Sequence, residues 1–231
     1  MASDVRVQEG PVGTVVRPRG RTDKVVLYLH GDRHRPPVST SEPGPAGRLA
    51  LRANALLVFA RYRAEFPAAL DDVHAAYEHA VESGPVVVAG ERLGAGLAAA
   101  LLVRLRDTGA VQPACAVLVS ALLDLTLEAP SLTLNAGADP AFDLAGLRNL
   151  VDRHAGSTPR TDPLLSPLYA NLHGLAPVRL LTAGTDPLLD DSLAFAARAA
   201  RSGVMVDLRV HRDAAALRAG IVPAMAAFMD G

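Results

Sequence analysis

The chain of 231 residues has one cysteine, Cys115, and one lysine, Lys24. A lone cysteine excludes an internal disulfide and a cysteine-based zinc site. It lies in the apolar run Ala114-Cys115-Ala116-Val117-Leu118-Val119, which makes it a buried small hydrophobe rather than a reactive thiol. Arginine carries almost all the positive charge, and the formal net charge is −1 with no long run of one sign. That balance lacks the electrostatic footprint of a nucleic-acid partner or a polybasic membrane contact, so a small molecule is the expected ligand. No stretch approaches the roughly twenty apolar residues that cross a bilayer. Met1 to Gly10 mixes Asp4, Arg6 and Glu9 with small side chains and has no signal-peptide core. A cytoplasmic protein is the expectation.

What is present is apolar bulk: half the residues are hydrophobic, enough for one sizeable domain spanning 1–231. Short apolar runs alternate with longer helical patterns, the order of a mainly parallel α/β sheet with helices on both faces. Val25 to Leu29, Ala55 to Ala60, Val86 to Ala89, Ala116 to Ser120, Arg179 to Ala183 and Val206 to Val210 are the strand candidates. Helical spacing covers Leu49 to Ala53, Phe66 to Ser83, Gly94 to Arg106 and Leu189 to Ser202. Between Asp124 and Pro177 the periodicity fails, which predicts a small cap-like insertion over 124–177 with one helix at Leu144 to His154. Pro36 to Gly47 reads as a loop after the first strong strand.

Ligands in an open parallel sheet bind beyond the carboxyl ends of the strands, which directs attention to the residues that follow each run. Gly90-Glu91-Arg92-Leu93-Gly94 is the most informative of these segments. Two glycines flank the middle residue between a strand and a helix, the frame of a nucleophile elbow. The residue at its apex is Arg92.

Here the chain resembles the hormone-sensitive-lipase-like branch of the α/β-hydrolases, over roughly Val15 to Phe228. Leu27-Tyr28-Leu29-His30-Gly31 is similar to the strand entering that family's His-Gly-Gly-Gly loop. Tyr62-Arg63 followed by Phe66-Pro67-Ala68-Ala69-Leu70-Asp71-Asp72 is similar to its Asp-Tyr-Arg and Phe-Pro-Ala-Ala-x-Asp-Asp segments. Ala89 to Ala95 stands where the family has Gly-Asp-Ser-Ala-Gly-Gly. Ser120 to Asp124, Asp162 to Pro167 and Thr182 to Leu188 continue the series in order. The resemblance implies an α/β-hydrolase-type sheet, no cofactor and no metal, and pairing through the sheet edge as a homodimer. The family's usual N-terminal cap helices have no counterpart in this lead-in, which implies a more open cleft.

The departures fall on the positions that the resemblance marks as catalytic. Arg92 replaces the serine, and a permanently charged guanidinium does not attack an acyl carbon. Counted without gaps from Asp186, the histidine position falls on Ala216, which cannot move a proton. Asp32 and Arg33 replace two oxyanion-loop glycines, and a carboxylate there opposes developing negative charge. Asp186 alone is retained.

Each residue also has a plainer reading. Arg92 either binds an anionic group or pairs internally with Asp32, Glu91 or Asp186, the second being preferred. Asp186 reads as a helix N-cap ahead of Pro187. His211, five residues before Ala216, substitutes for the lost base only if its loop folds back; otherwise it is a surface histidine. His30 supports its loop by hydrogen bonding. Asp71-Asp72 tethers a helix start, since neighbours on a helix point about 100° apart. His74 and Glu78 form a solvated i,i+4 pair. A phosphate-binding reading of Gly90 to Gly96 lacks the lysine and spacing of a P-loop.

Three functions are therefore open. The expectation is a catalytically degenerate homologue, a pseudoenzyme that binds a small molecule or a protein partner in the old cleft without ordinary esterase activity. The alternatives are a repurposed cyclase, lyase or isomerase acting on a biosynthetic intermediate, using Arg92, Asp32, Tyr62 or His211, and a residual hydrolase with an altered catalytic set.

Overall fold

A computed structural model describes residues 5–22, 24–31, 45–139 and 142–229 of the chain. Asp32, Arg33 and most of the expected 36–47 loop lie outside the described residues.

The strand candidates become one sheet because their apolar side chains alternate between two faces that are both covered. β1 (Val5–Gly10) and β2 (Gly13–Pro18) form an antiparallel hairpin at one edge. β3 (Lys24–Leu29), β4 (Ala55–Ala60), β5 (Val86–Glu91), β6 (Cys115–Val119), β7 (Val178–Ala183) and β8 (Val206–His211) follow in parallel. The order is β1-β2-β4-β3-β5-β6-β7-β8. Within β3, Val25, Leu27 and Leu29 face α2 (Ala68–Val81), α3 (Leu93–Asp107) and α6 (Leu189–Arg201). Val26 faces α1 (Pro45–Ala53) and α7 (Ala214–Met229) on the other side. Each fully buried valine or leucine contributes about 1.5–3 kcal/mol, so two covered faces supply the main driving force.

The sequence pattern misses β1, β2 and α7. The hairpin escapes it because β1 has only Val5 fully buried and its other side chains are polar or half-exposed. Gly13 is required there: at φ +145° an added Cβ would sit 1.9 Å from the Phe59 carbonyl oxygen. α7 escapes it because Pro223 interrupts the helical pattern without ending the helix. The helix expected over 66–83 begins only at Ala68, after Pro67.

Between β6 and β7 the chain builds α4 (Ser131–Leu134) and α5 (Leu144–Ala155) with two short 3-10 turns. Leu132, Leu147, Val151 and Leu165 pack with Leu93 and Leu188 in a third apolar cluster over the sheet ends. This segment is pinned from below by Asp191 of α6, whose Oδ2 accepts from the amides of Leu123 at 2.7 Å and Asp124 at 3.0 Å. No helix among the described residues is long and apolar enough to cross a membrane.

Candidate active site

β3 connects to α1 on one face and β5 to α3 on the other, so a crevice opens beyond the adjoining ends of these paired strands. The turn between β5 and α3 closes it. Arg92 at the apex has φ 51° and ψ −118°, a conformation that costs a side-chain-bearing residue about 1–3 kcal/mol. Backbone contacts impose it. A Cβ on Gly90 would lie 2.4 Å from the Gly94 oxygen, and one on Gly94 would lie 2.3 Å from the Leu29 oxygen. The Arg92 amide donates to the Val119 carbonyl at 3.0 Å, while its own carbonyl accepts from Ala95, Gly96 and Leu122. The elbow read from the glycine spacing is thus present as a strained turn with the Arg92 amide and carbonyl both hydrogen-bonded.

Beside the elbow is a cleft of about 160 Å³ whose polar lining includes Glu91, Arg92, Ser120, Asp139, Asp186 and Arg218. That volume holds a few waters or a small acyl group. Three expected residues, Glu91, Arg92 and Asp186, are brought together here. Arg92, Glu91 and Asp139 are each engaged with a partner in the protein. Asp186 is 9% exposed, and its Oδ1 accepts from the Leu188 amide at 2.9 Å. The expectation of an N-cap is corrected: the residue before α6 is Leu188, and Asp186 instead braces the turn two residues earlier. Asn135 holds the same turn by donating to the Asp186 carbonyl at 2.9 Å.

Other expected residues fall elsewhere. Tyr62 does not line this cleft; it borders a separate small pocket with Gly31, Leu93 and His154. Its ring stacks on His30 at 4.8 Å between centroids, and its hydroxyl donates to the His30 carbonyl. His30 is therefore held as a support for the turn, with Nδ1 3.1 Å from the Gly31 oxygen. His211 ends β8 without lining the cleft. Its ring lies against Gly220 of α7, where an added Cβ would be 2.5 Å from Cε1, and its buried Nε2 has no hydrogen-bond partner among the described residues. A freely solvated surface histidine is thus corrected to one packed under α7. Ala216 sits in the first turn of α7, its amide donating to Asp213 Oδ1 at 2.8 Å.

Asp72 is a tether, as its spacing suggests: it accepts from the Arg63 amide at 2.9 Å and from its guanidinium at 2.8 and 2.7 Å. The Arg63 hydrogen bonds hold its carboxyl below the usual range, against the opposing effect of burial. Asp71 turns away to pair with Arg104 at 2.7 Å. Cys115 is buried in β6, and burial pushes its thiol up to about 11. Among the described residues no group of three or more His, Cys, Asp or Glu is placed to hold a metal ion.

Sequence reasoning missed Asp139 and Arg218. Asp139 follows a short 3-10 turn in the irregular segment, and Arg218 lies on the unassigned α7. An apolar spacing of Leu217, Ile221 and Met225 was the available signal for that helix.

The family profile described as the alpha/beta hydrolase fold matches residues 26–215. The chain belongs to that family. An acetyl-hydrolase of Streptomyces hygroscopicus is 35% identical over 199 residues, covering 83% of this chain and 67% of that protein. Esterase LipI of Mycobacterium tuberculosis is 31% identical over 242 residues, covering 93% of this chain and 74% of its own length. Among solved structures, an esterase from the bacterial hormone-sensitive lipase family superposes with TM-score 0.86 at 30% identity, over 98% of this chain and 83% of that one. EstE5 superposes with TM-score 0.87 at 28% identity, over 99% and 85%. These findings support membership of the hormone-sensitive-lipase-like esterases. They also overturn one expectation. The relatives are named as acetyl-hydrolases and esterases, which contradicts the pseudoenzyme expectation of a binding protein without ordinary esterase activity. That expectation infers a lost reaction from three departures together, at Arg92, at Ala216 and at Asp32 and Arg33.

Proposed function

We propose that this chain is a carboxylic-ester hydrolase for small acyl groups. The observation that carries the reading is the cleft of about 160 Å³ at the β5–α3 elbow, with Arg92 and Asp186 in its wall, in a chain whose relatives are acetyl-hydrolases and esterases. The sequence has arginine at the elbow and alanine at position 216, so no acyl-serine forms at residue 92. Water is the nucleophile instead.

In this scheme the Asp186 carboxylate takes a proton from water as its oxygen attacks the acyl carbon. The carbonyl π bond breaks to an oxyanion, which the Arg92 guanidinium stabilises in the partly dehydrated cleft. The carbon–alkoxy bond then breaks, the leaving alkoxide receives the proton held by Asp186, and an acid and an alcohol are released. Atoms and charge balance with water as the only co-reactant.

The test is the hydrolysis of p-nitrophenyl acetate and butyrate by the purified protein. Turnover is expected above the buffer rate, falling by at least about 100-fold in Asp186→Asn, the order of a lost general base. Intact mass measured during turnover should show no acyl adduct. Rates equal to buffer overturn the reading, and an acyl adduct on any serine overturns the water mechanism.

A further inference from the structure

A second cavity adjoins the elbow cleft and is far larger, about 970 Å³. It lies between α1 and α7 at the carboxyl end of the sheet. Three arginines border it: Arg48 and Arg52 from α1 and Arg218 from α7. Among the described residues none of the three has an ion pair or a side-chain hydrogen bond, in contrast to Arg63, Arg104 and Arg179. Arg48 and Arg52 are four apart on one helix, so their like charges meet on the same face, which disfavours the unliganded helix. Among the described residues the only carboxylate in the lining is Glu91, which is already engaged within the protein. The described lining of the groove therefore carries excess positive charge.

The rest of the wall is apolar. Leu51, itself 40% exposed, faces Ile221, Val222 and Pro223. Pro223 has no amide to donate, so the Ala219 carbonyl loses its helical partner on the same side of the cavity. Glu91, Arg218 and Ile221 border both this groove and the cleft at Arg92, which places the two spaces side by side.

We infer that the groove binds the anionic end of an ester substrate, a carboxylate or phosphate carried on a short aliphatic chain, while the ester itself sits at Arg92 and Asp186. This rests on the ester-hydrolase reading for the second half of the statement, not for the groove. Arginine is suited to the role because its planar fork pairs with carboxylate and phosphate oxygens in two parallel bonds. The apolar wall takes the chain between the charged end and the scissile bond.

Binding is measured by calorimetry with ligands that contain no carboxylic ester. N-butylglutaramate carries a carboxylate, N-butylpentanamide is its neutral counterpart, and monobutyl phosphate carries the alternative anion. At least one anion should bind at least tenfold more tightly than the neutral amide, the tighter one naming the class. Arg48→Gln/Arg52→Gln should remove that preference while leaving the affinity of the neutral amide within twofold. Both arginines are solvent-facing and repel each other, so the variant should melt at the same temperature or slightly above it. Equal affinity for all three ligands, or an anion preference that survives the double substitution, overturns the inference. The outcome is independent of the p-nitrophenyl assays, because inactive protein that binds the anion sinks the hydrolase reading alone.

Discussion

The β5–α3 turn holds Arg92 and the β8–α7 turn holds Ala216, the positions where the family resemblance leads one to expect a serine and a histidine, yet the two turns are held in different ways. At the first, backbone presses on backbone: Gly90 against Gly94, Gly94 against Leu29 and His30, Gly96 against Leu122. At the second, side chains make the contacts: Asp213 receives the Ala216 amide, and the His211 ring fills the space over Gly220. Main-chain contacts leave no slack, but they are indifferent to what the apex residue carries. That is how Arg92 can occupy a strained elbow. Side-chain contacts tolerate adjustment, so the second turn is free to change both its chemistry and its packing.

Gly94→Ala should separate the two regions most sharply. The new methyl would overlap two carbonyl oxygens that cannot move without parting β3 from α3, so a loss of about 3 kcal/mol or more is expected in urea unfolding. A loss below about 1 kcal/mol would show that the elbow yields, and the contrast would collapse.

Asp191 ties the loop after β6 to α6 and gives the next largest effect. Asp191→Ala would strand two amides and should cost about 1–3 kcal/mol. Burial pushes the Asp191 carboxyl up to about 7, against the lowering effect of the Leu123 and Asp124 amides, with the charges of Asp124 and Asp190 adding to the rise. Its folded value thus lies above the unfolded one of about 3.9. The folded state holds the proton more tightly, so this contribution to stability is complete below the unfolded value and is lost as pH rises through about 7. Urea midpoints at pH 5 and pH 8 should differ less in Asp191→Asn than in the parent chain. An unchanged difference would remove Asp191 as the titrating group.

Arg92→Gly relieves the positive φ at the elbow while adding unfolded-state entropy. A net gain of about 1 kcal/mol in thermal unfolding is expected, and a loss would mean that the side chain, not the main chain, holds the turn. The smallest effect belongs to Gly220→Ala. Its methyl meets only the end of the His211 side chain, and helix propensity offsets the shift of the ring, so stability should stay within about 0.5 kcal/mol. A cost like that of Gly94→Ala would erase the difference between the turns.

The elbow was legible because paired glycines between an apolar run and a helical pattern are what a tight strand-to-helix turn requires, and the observed strand and helix meet at Arg92 as that spacing demands. Asp186 was legible as a position, although its bond to Leu188 was not. Tyr62 and His211 were expected beside Arg92 because each follows a strand. They lie elsewhere because where a side chain goes depends on its ring packing, on His30 in one case and on α7 in the other. Arg218 and Asp139 were not singled out, since neither belongs to a segment whose period marks it as a strand end.

By itself the sequence determined the parallel α/β sheet, the strained turn and the absence of a serine at its apex, because periodicity and glycine spacing act locally along the chain. Only the tertiary structure decided which polar groups share a cleft and that an arginine-bordered groove opens between α1 and α7. Those elements are more than 150 residues apart, and nothing local sets the distance between them.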